Sequence, residues 1–255
     1  MKKPSVAVFK FSSDAGCQLE ILNLENNLLD ILELVDFTYF PMASRYYGPG
    51  PYDIGFVEGA VTSPEEIARI KHVRAQCKIL VALGSCACFG GLPSIKNSLS
   101  QREVEEKVYP DTSVIHSIKA MGIDQYVKVD AYLKGCPIDK NELVELIKGI
   151  LLDIKPYLRP HSVCIECKLR ENPCMFLGDG RVCMGPVTSA GCGAVCPSKN
   201  RPCEGCRGPA NDPNASSLAR TLLEYGLSPR EVELKFRKYA GETPPFREGA
   251  ETGAM

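Results

Sequence analysis

Between Cys164 and Cys206 the chain carries eight cysteines in 43 residues, spaced C-x2-C-x6-C-x8-C-x8-C-x3-C-x6-C-x2-C. Gly, Pro and Cys dominate this stretch and hydrophobic periodicity disappears from it. It lacks the apolar residues for a core of its own, and metal–thiolate bonds are one way to supply the missing cross-links. Eight thiolates make two sets of four, the number that holds a [4Fe–4S] cluster. Three further cysteines, Cys17, Cys86 and Cys136, lie far apart in the N-terminal half, each just after an apolar, strand-like run.

Thirteen cysteines in all can mean disulfides or metal ligands. Disulfide-dense scaffolds are usually small and secreted, and 255 residues is neither small nor short of material for a core. The opening MKKPSVAVFKF has a basic start, but Lys10 interrupts its apolar run and no small-residue cleavage site follows. There is no twin-arginine pair, and no apolar stretch long enough for a transmembrane helix. The reading is thiolate metal ligation in a reducing cytoplasm, with no membrane association. Thirty basic against 31 acidic side chains give a net charge of −1, so nothing points to nucleic acid. Trp is absent, and three His leave little room for His-based catalysis.

Residues 1–156 alternate strand-like and helix-like segments, which predicts an α/β domain with an open, mostly parallel sheet. Strands are expected at Ser5–Phe11, Val35–Phe40, Asp53–Val57, Lys78–Leu83 and Tyr126–Leu133. Gln18–Ile31 reads as one helix, with Ile21, Leu24, Leu28 and Ile31 on one face. Ser63-Pro64-Glu65-Glu66 reads as a capping box opening a helix through Gln76. Asp139 and Glu142 cap a helix whose Leu143, Leu146, Ile147, Ile150, Leu151 and Ile154 form a stripe. Composition changes at Pro156-Tyr157-Leu158-Arg159-Pro160, so a Cys-rich domain is placed at 157–255. Two short helices follow Cys206, the second opened by the box Ser228-Pro229-Arg230-Glu231; from Glu242 a mobile tail is expected.

In an open parallel sheet, ligands collect outside the carboxyl ends of the strands. Cys17, Cys86 and Cys136, separated by 69 and 50 residues, can therefore meet at one edge. Gly16, Gly84, Gly90, Gly91 and Gly135 would let backbone approach a bulky group there. Buried cysteines also serve as small hydrophobes; Cys77, outside this pattern, is read that way.

These residues resemble the small, electron-transferring subunit of [NiFe] hydrogenases. The resemblance is carried by GCQLE at 16–20, VEGAV at 57–61, ALGSCACFGG at 82–91, LKGCPI at 133–138, CMGPVTSAGC at 183–192 and CEGCRGP at 203–209. It implies a flavodoxin-like N-terminal domain with a proximal [4Fe–4S] cluster, followed by an irregular Cys-rich iron–sulfur domain with medial and distal clusters. It assigns Cys17, Cys86 and Cys136 to the proximal cluster and Cys192, Cys196, Cys203 and Cys206 to the medial one. Many relatives have Pro at the Cys196 position, so Cys here implies four irons rather than three. Cys164, Cys167, Cys174 and Cys183 are left for the distal cluster. The large subunit would carry the NiFe centre and split H2; electrons would leave to a flavin/NAD(P)-binding subunit containing FAD and a ferredoxin-like iron–sulfur subunit. Sulfur reduction belongs to the same group, the NAD(P)-linked sulfhydrogenases. F420-reducing and heterodisulfide-reductase-linked hydrogenases are the neighbouring alternatives.

Several positions carry an open question. The family usually opens with C-x-G-C or C-x2-C, whereas this chain has Asp14-Ala15-Gly16-Cys17. Asp14 is either the fourth proximal ligand, a harder donor than sulfur, or a helix cap; Cys88 is a rival for the same iron. His161, three residues before Cys164, reproduces a distal His spacing seen in relatives, although eight cysteines make it dispensable. Glu58 and Glu20 are candidates for proton relay or for bracing the subunit interface. Zinc is the chemical rival, since C-x2-C pairs are common zinc signatures and two four-cysteine sites would make a structural module. The cluster subunit of respiratory complex I resembles the N-terminal half, but usually shows adjacent cysteines and lacks the eight-thiol extension. No nucleophile–base constellation and no G-x-G-x-x-G is present, so this chain performs no substrate chemistry alone.

Overall fold

The computed structural model describes residues 3–154 and 159–254, in two compact units, Met1–Ile147 and Lys148–Met255. The boundary expected between 156 and 157 falls on residues 155–158, outside the described residues.

In the first unit, β1 (Ser5–Lys10) is followed by α1 (Gly16–Leu22), α2 (Asn26–Leu34), β2 (Asp36–Tyr39) and β3 (Tyr52–Glu58). Then come α3 (Pro64–Gln76), β4 (Cys77–Leu83), α4 (Gly84–Phe89), α5 (Gln101–Val108), β5 (Ala131–Leu133) and α6 (Lys140–Leu151). All neighbouring strands run parallel, in the order β2-β1-β3-β4-β5. That is the flavodoxin-like order. The inner strands are near-continuous apolar runs because helices cover both faces; Val6, Val8, Ile54, Phe56, Leu80 and Leu83 are all buried.

Three local expectations change. The single helix over Gln18–Ile31 is two helices, because buried Leu24 anchors a turn in which Glu25 takes a left-handed φ of 55°. The strand over Tyr126–Leu133 shrinks to Ala131–Leu133: just before it, the Asp130 carboxylate takes the Leu80 N–H at 2.8 Å, replacing a ladder partner with a side chain. Half of the Ser63 box forms, Ser63 Oγ accepting from Glu66 N; the Glu66 carboxylate turns instead to Thr62 N at 2.7 Å. Asp139 Oδ1 accepts from Asn141 N and Glu142 N at the start of α6.

In the second unit, α7 (Val163–Leu169), α8 (Met175–Gly178) and α9 (Val195–Ser198) are short and separated by loops. Backbone bonds stitch these loops together: Val163 N to Thr188 O, Met184 N to Cys203 O and Ser189 N to Gly208 O, all at 2.9 Å. Three helices close the chain, α10 (Ala215–Glu224), α11 (Pro229–Ala240) and α12 (Pro244–Ala254). Both halves of the Ser228–Glu231 box are made. Where a mobile tail is expected from Glu242, residues 244–254 form α12 instead. Pro244 suits a first helical turn, and Phe246 packs edge-to-face on Phe236 at 5.6 Å while Gly249 lets α12 close onto that ring. No helix among the described residues is long and apolar enough to cross a membrane.

Candidate metal centres

Four strands end in register. Lys10 pairs with Glu58, Glu58 with Leu83, and Leu83 with Leu133, one row across the carboxyl edge of β1, β3, β4 and β5. The chain beyond that row delivers Asp14 and Cys17 after β1, Cys86 on α4 and Cys136 after β5. All four line one cavity of about 330 Å³, together with Glu20 and Glu58. This volume far exceeds what a single water needs. Gly84, at φ +80°, lies where a Cβ would strike the Cys17 sulfur, so the wall is cut back to leave the thiol its place.

Burial, then Glu58, pushes the Cys17 thiol far up. Burial, then Cys136, pushes Cys86 up to about 12, and burial followed by Asp14 and Glu58 raises Cys136. Crowded thiols of this kind stay protonated until positive charge sits among them, as a metal ligand set requires. Asp14 is exposed, and its Oδ1 accepts the Gly16 N–H at 3.0 Å in a turn, while Ala15 occupies the cap position of α1. Glu58 is 1% exposed; Oε1 accepts from Cys17 N at 2.8 Å and Oε2 from Gln18 Nε2 at 2.7 Å. Glu20 lies 3.9 Å from Lys140 Nζ. Cys88 is not brought to the cavity: it points into the apolar core, donating to Ala82 O at 3.6 Å. Cys77 packs in the same core. Gln18, buried beside the site, gave no signal in the sequence because its partner is 40 residues away.

In the second unit, Cys164, Cys167, Cys174 and Cys183 line a cavity of about 50 Å³. A Cβ on Gly185 would stand 3.3 Å from the Cys183 sulfur and 3.4 Å from that of Cys164. Burial, then Cys183, Cys167 and Cys174, raises the Cys164 thiol to about 11. Cys203 is buried and pushed well up by that burial, with Cys183 and Cys206 adding repulsion. Burial, then Cys192 and Glu204, raises Cys196. Cys183, which lines this cavity, also reaches the Cys203 turn, its sulfur accepting from Cys203 N at 3.2 Å. His161 is not among the residues lining the cavity; its Nδ1 lies 3.3 Å from Ser162 O. None of the thirteen cysteines is in a disulfide. Among the described residues, no three His, Cys, Asp or Glu side chains converge tightly enough for a single metal ion. At the carboxyl edge of the sheet, the cavity of about 330 Å³ and its glycine-relieved wall leave room for a larger group.

The family model "NADH ubiquinone oxidoreductase, 20 Kd subunit" matches residues 15–150. Sulfhydrogenase 2 subunit delta of Pyrococcus furiosus is 34% identical over 237 residues, 92% of this chain and 98% of that protein. The chain belongs to the [NiFe] hydrogenase small-subunit family. A vhu subunit of the F420-non-reducing hydrogenase of Methanocaldococcus jannaschii, 30% identical over 80% of this chain and 81% of its own length, is a further member similar to it. Among solved structures, a chain of an NAD+-reducing [NiFe]-hydrogenase in the H2-reduced state superposes with a TM-score of 0.56 at 25% identity, covering 61% of this chain and 95% of its own. The 20 Kd model reaches over the sheet unit and stops at 150; the hydrogenase relatives extend through the Cys-rich unit of this family member.

Proposed function

We propose that this hydrogenase small subunit relays electrons between a NiFe large subunit, where H2 is oxidised or evolved, and a flavin/NAD(P)-binding subunit. FAD, NAD(P) and a ferredoxin-like iron–sulfur subunit lie on the acceptor side, in the cytoplasm, with sulfur as a further acceptor. The observation that carries the reading is the cavity at the carboxyl edge of four adjacent strands, where Asp14, Cys17, Cys86 and Cys136 stand together. Three [4Fe–4S] clusters are assigned, each supplying reversible one-electron storage when bound. The first is held by Asp14, Cys17, Cys86 and Cys136, the second by Cys192, Cys196, Cys203 and Cys206, and the third by Cys164, Cys167, Cys174 and Cys183. This chain's own residues hold sulfur donors in a partly dry site, and the Glu58 carboxyl fixes the backbone of Cys17. The cavity of about 330 Å³ lined by Asp14, Cys17, Cys86 and Cys136 suits a cube of irons better than a zinc ion, whose four ligands meet at one point.

The test is iron and acid-labile sulfide in the anaerobically prepared complex, with Asp14→Cys and Asp14→Ser compared by spin resonance. About twelve irons assignable to this chain are expected, and both variants shift the proximal signal and its potential. An unchanged signal in both removes Asp14 from the ligand set; iron far below that number, or zinc in its place, removes the relay. The second reading, a small subunit of an F420-non-reducing hydrogenase, rests on the Methanocaldococcus relative. The neighbouring subunit that co-purifies, binding NAD(P) or not, separates the two.

A further inference from the structure

One carboxylate joins the Cys203–Cys206 turn to α11. Glu204, between the two cysteines, receives Lys235 Nζ on Oε1 at 3.1 Å and Lys238 Nζ on Oε2 at 3.1 Å. The two lysines are three residues apart, so both ammoniums leave the same helix face. On the other side of the turn, a Cβ on Gly205 would sit 3.5 Å from Met184 and 3.7 Å from the Phe246 ring of α12. The Cys-x2-Cys turn is thus gripped at its charged side by α11 and at its apolar side by α12, which themselves pack through Phe236 and Phe246.

The lysine side chains are 28% and 40% exposed and that of Glu204 33%. Ion pairs this open add little to stability, so folding does not explain why two cations converge on one anion. Position does: charges and hydrogen bonds around cluster sulfurs set how readily the cluster takes an electron. We propose that Glu204, Lys235 and Lys238 are positioning residues, a charge clamp that fixes the Cys203–Cys206 turn and tunes the potential of the group it holds. This rests on the reading that Cys192, Cys196, Cys203 and Cys206 carry an iron–sulfur cluster. Each electron taken up adds one negative charge to that cluster. The Glu204 carboxylate opposes the addition and the two ammoniums favour it.

The experiment uses the anaerobically purified complex containing the full chain. Iron and sulfide are counted first, and each cluster's midpoint is then followed by spin resonance in a redox titration. Glu204→Gln is expected to raise the midpoint of this one cluster, and Lys235→Gln with Lys238→Gln to lower it, at unchanged iron content and with the other clusters fixed. Opposite signs are what a merely structural contact would not give. The lysine pair lies on a partly exposed helix face and supplies a readout even where Glu204→Gln weakens the turn. Midpoints that stay put in both, or move the same way in both, overturn the clamp and leave the cluster assignment standing. Cys196→Ser with unchanged iron and signals overturns the assignment itself.

Discussion

In the first unit the side chains buried in and around the parallel sheet are mostly carbon, Val6, Val8, Ile54, Phe56, Leu80 and Leu133 among them, with Gln18, Glu58 and Asn97 as buried polar exceptions. Between Cys164 and Cys206 several are polar or sulfur. Glu166 accepts from Gly191 N at 3.0 Å, and Arg207 Nε donates to Ser189 O and Ala190 O at 3.2 and 2.8 Å. Thr188 Oγ1 donates to Met184 O, and Cys203 is buried beside Cys183. An apolar core holds without ligands, because its driving force is area removed from water. A segment fastened by directional bonds and thiols leans on whatever charge the thiols receive. The first unit is thus a self-sufficient scaffold, while the Cys-rich segment is the part that bound metal, on the proposed reading, would complete.

The sharpest way to break this contrast is to strip iron with a chelator under reducing conditions. Hydrogen exchange is expected to accelerate across 161–209 while β1–β5 and α10–α12 keep their protection; equal loss in the sheet would end the comparison. Phe56→Ala reverses the test. It removes a side chain 1% exposed on β3 and should cost about 3–5 kcal/mol in denaturant unfolding of the first unit, without altering exchange over 161–209. Glu58→Gln turns one of two acceptor oxygens into a donor facing either Cys17 N or Gln18 Nε2. A loss of about 1–3 kcal/mol is expected, read by the same unfolding curves. The smallest effect is at Asp53, held down at about 2 by its hydrogen bond to Lys78 and then by Ser5 N. A carboxyl lowered on folding stabilises above its unfolded value of 3.8, and that contribution fades as pH falls toward about 2. Its side chain is 35% exposed, so solvent screening leaves less than about 1 kcal/mol. Asp53→Asn should flatten the stability profile within that window alone.

The sheet was legible because its strands are short apolar runs punctuated by Gly and Pro, and because three cysteines follow strands rather than helices. Where local signals misled, a tertiary partner had won. Asp130 replaced a strand bond for Leu80, and Leu24 fastened a turn that periodicity ran straight through. The tail was misread since Pro244 and Pro245 look like breakers, yet Phe246 and Ala250, a helical turn apart, are buried on the α12 face that meets Phe236. The site was legible as residue types but not as distances. Spacing could not reveal that Cys88 faces inward, that Gln18 holds Glu58, or that Cys183 accepts from Cys203 N.

The aligned row of Lys10, Glu58, Leu83 and Leu133 also restricts how such a chain can drift over generations. One extra residue inside any of those strands would carry its loop about 3.3 Å outward and turn its last side chain to the opposite face. The stretch 109–117 feeds none of the four loops and escapes that penalty. Length differences among kindred sequences should gather there, in the largely exposed run that follows α5.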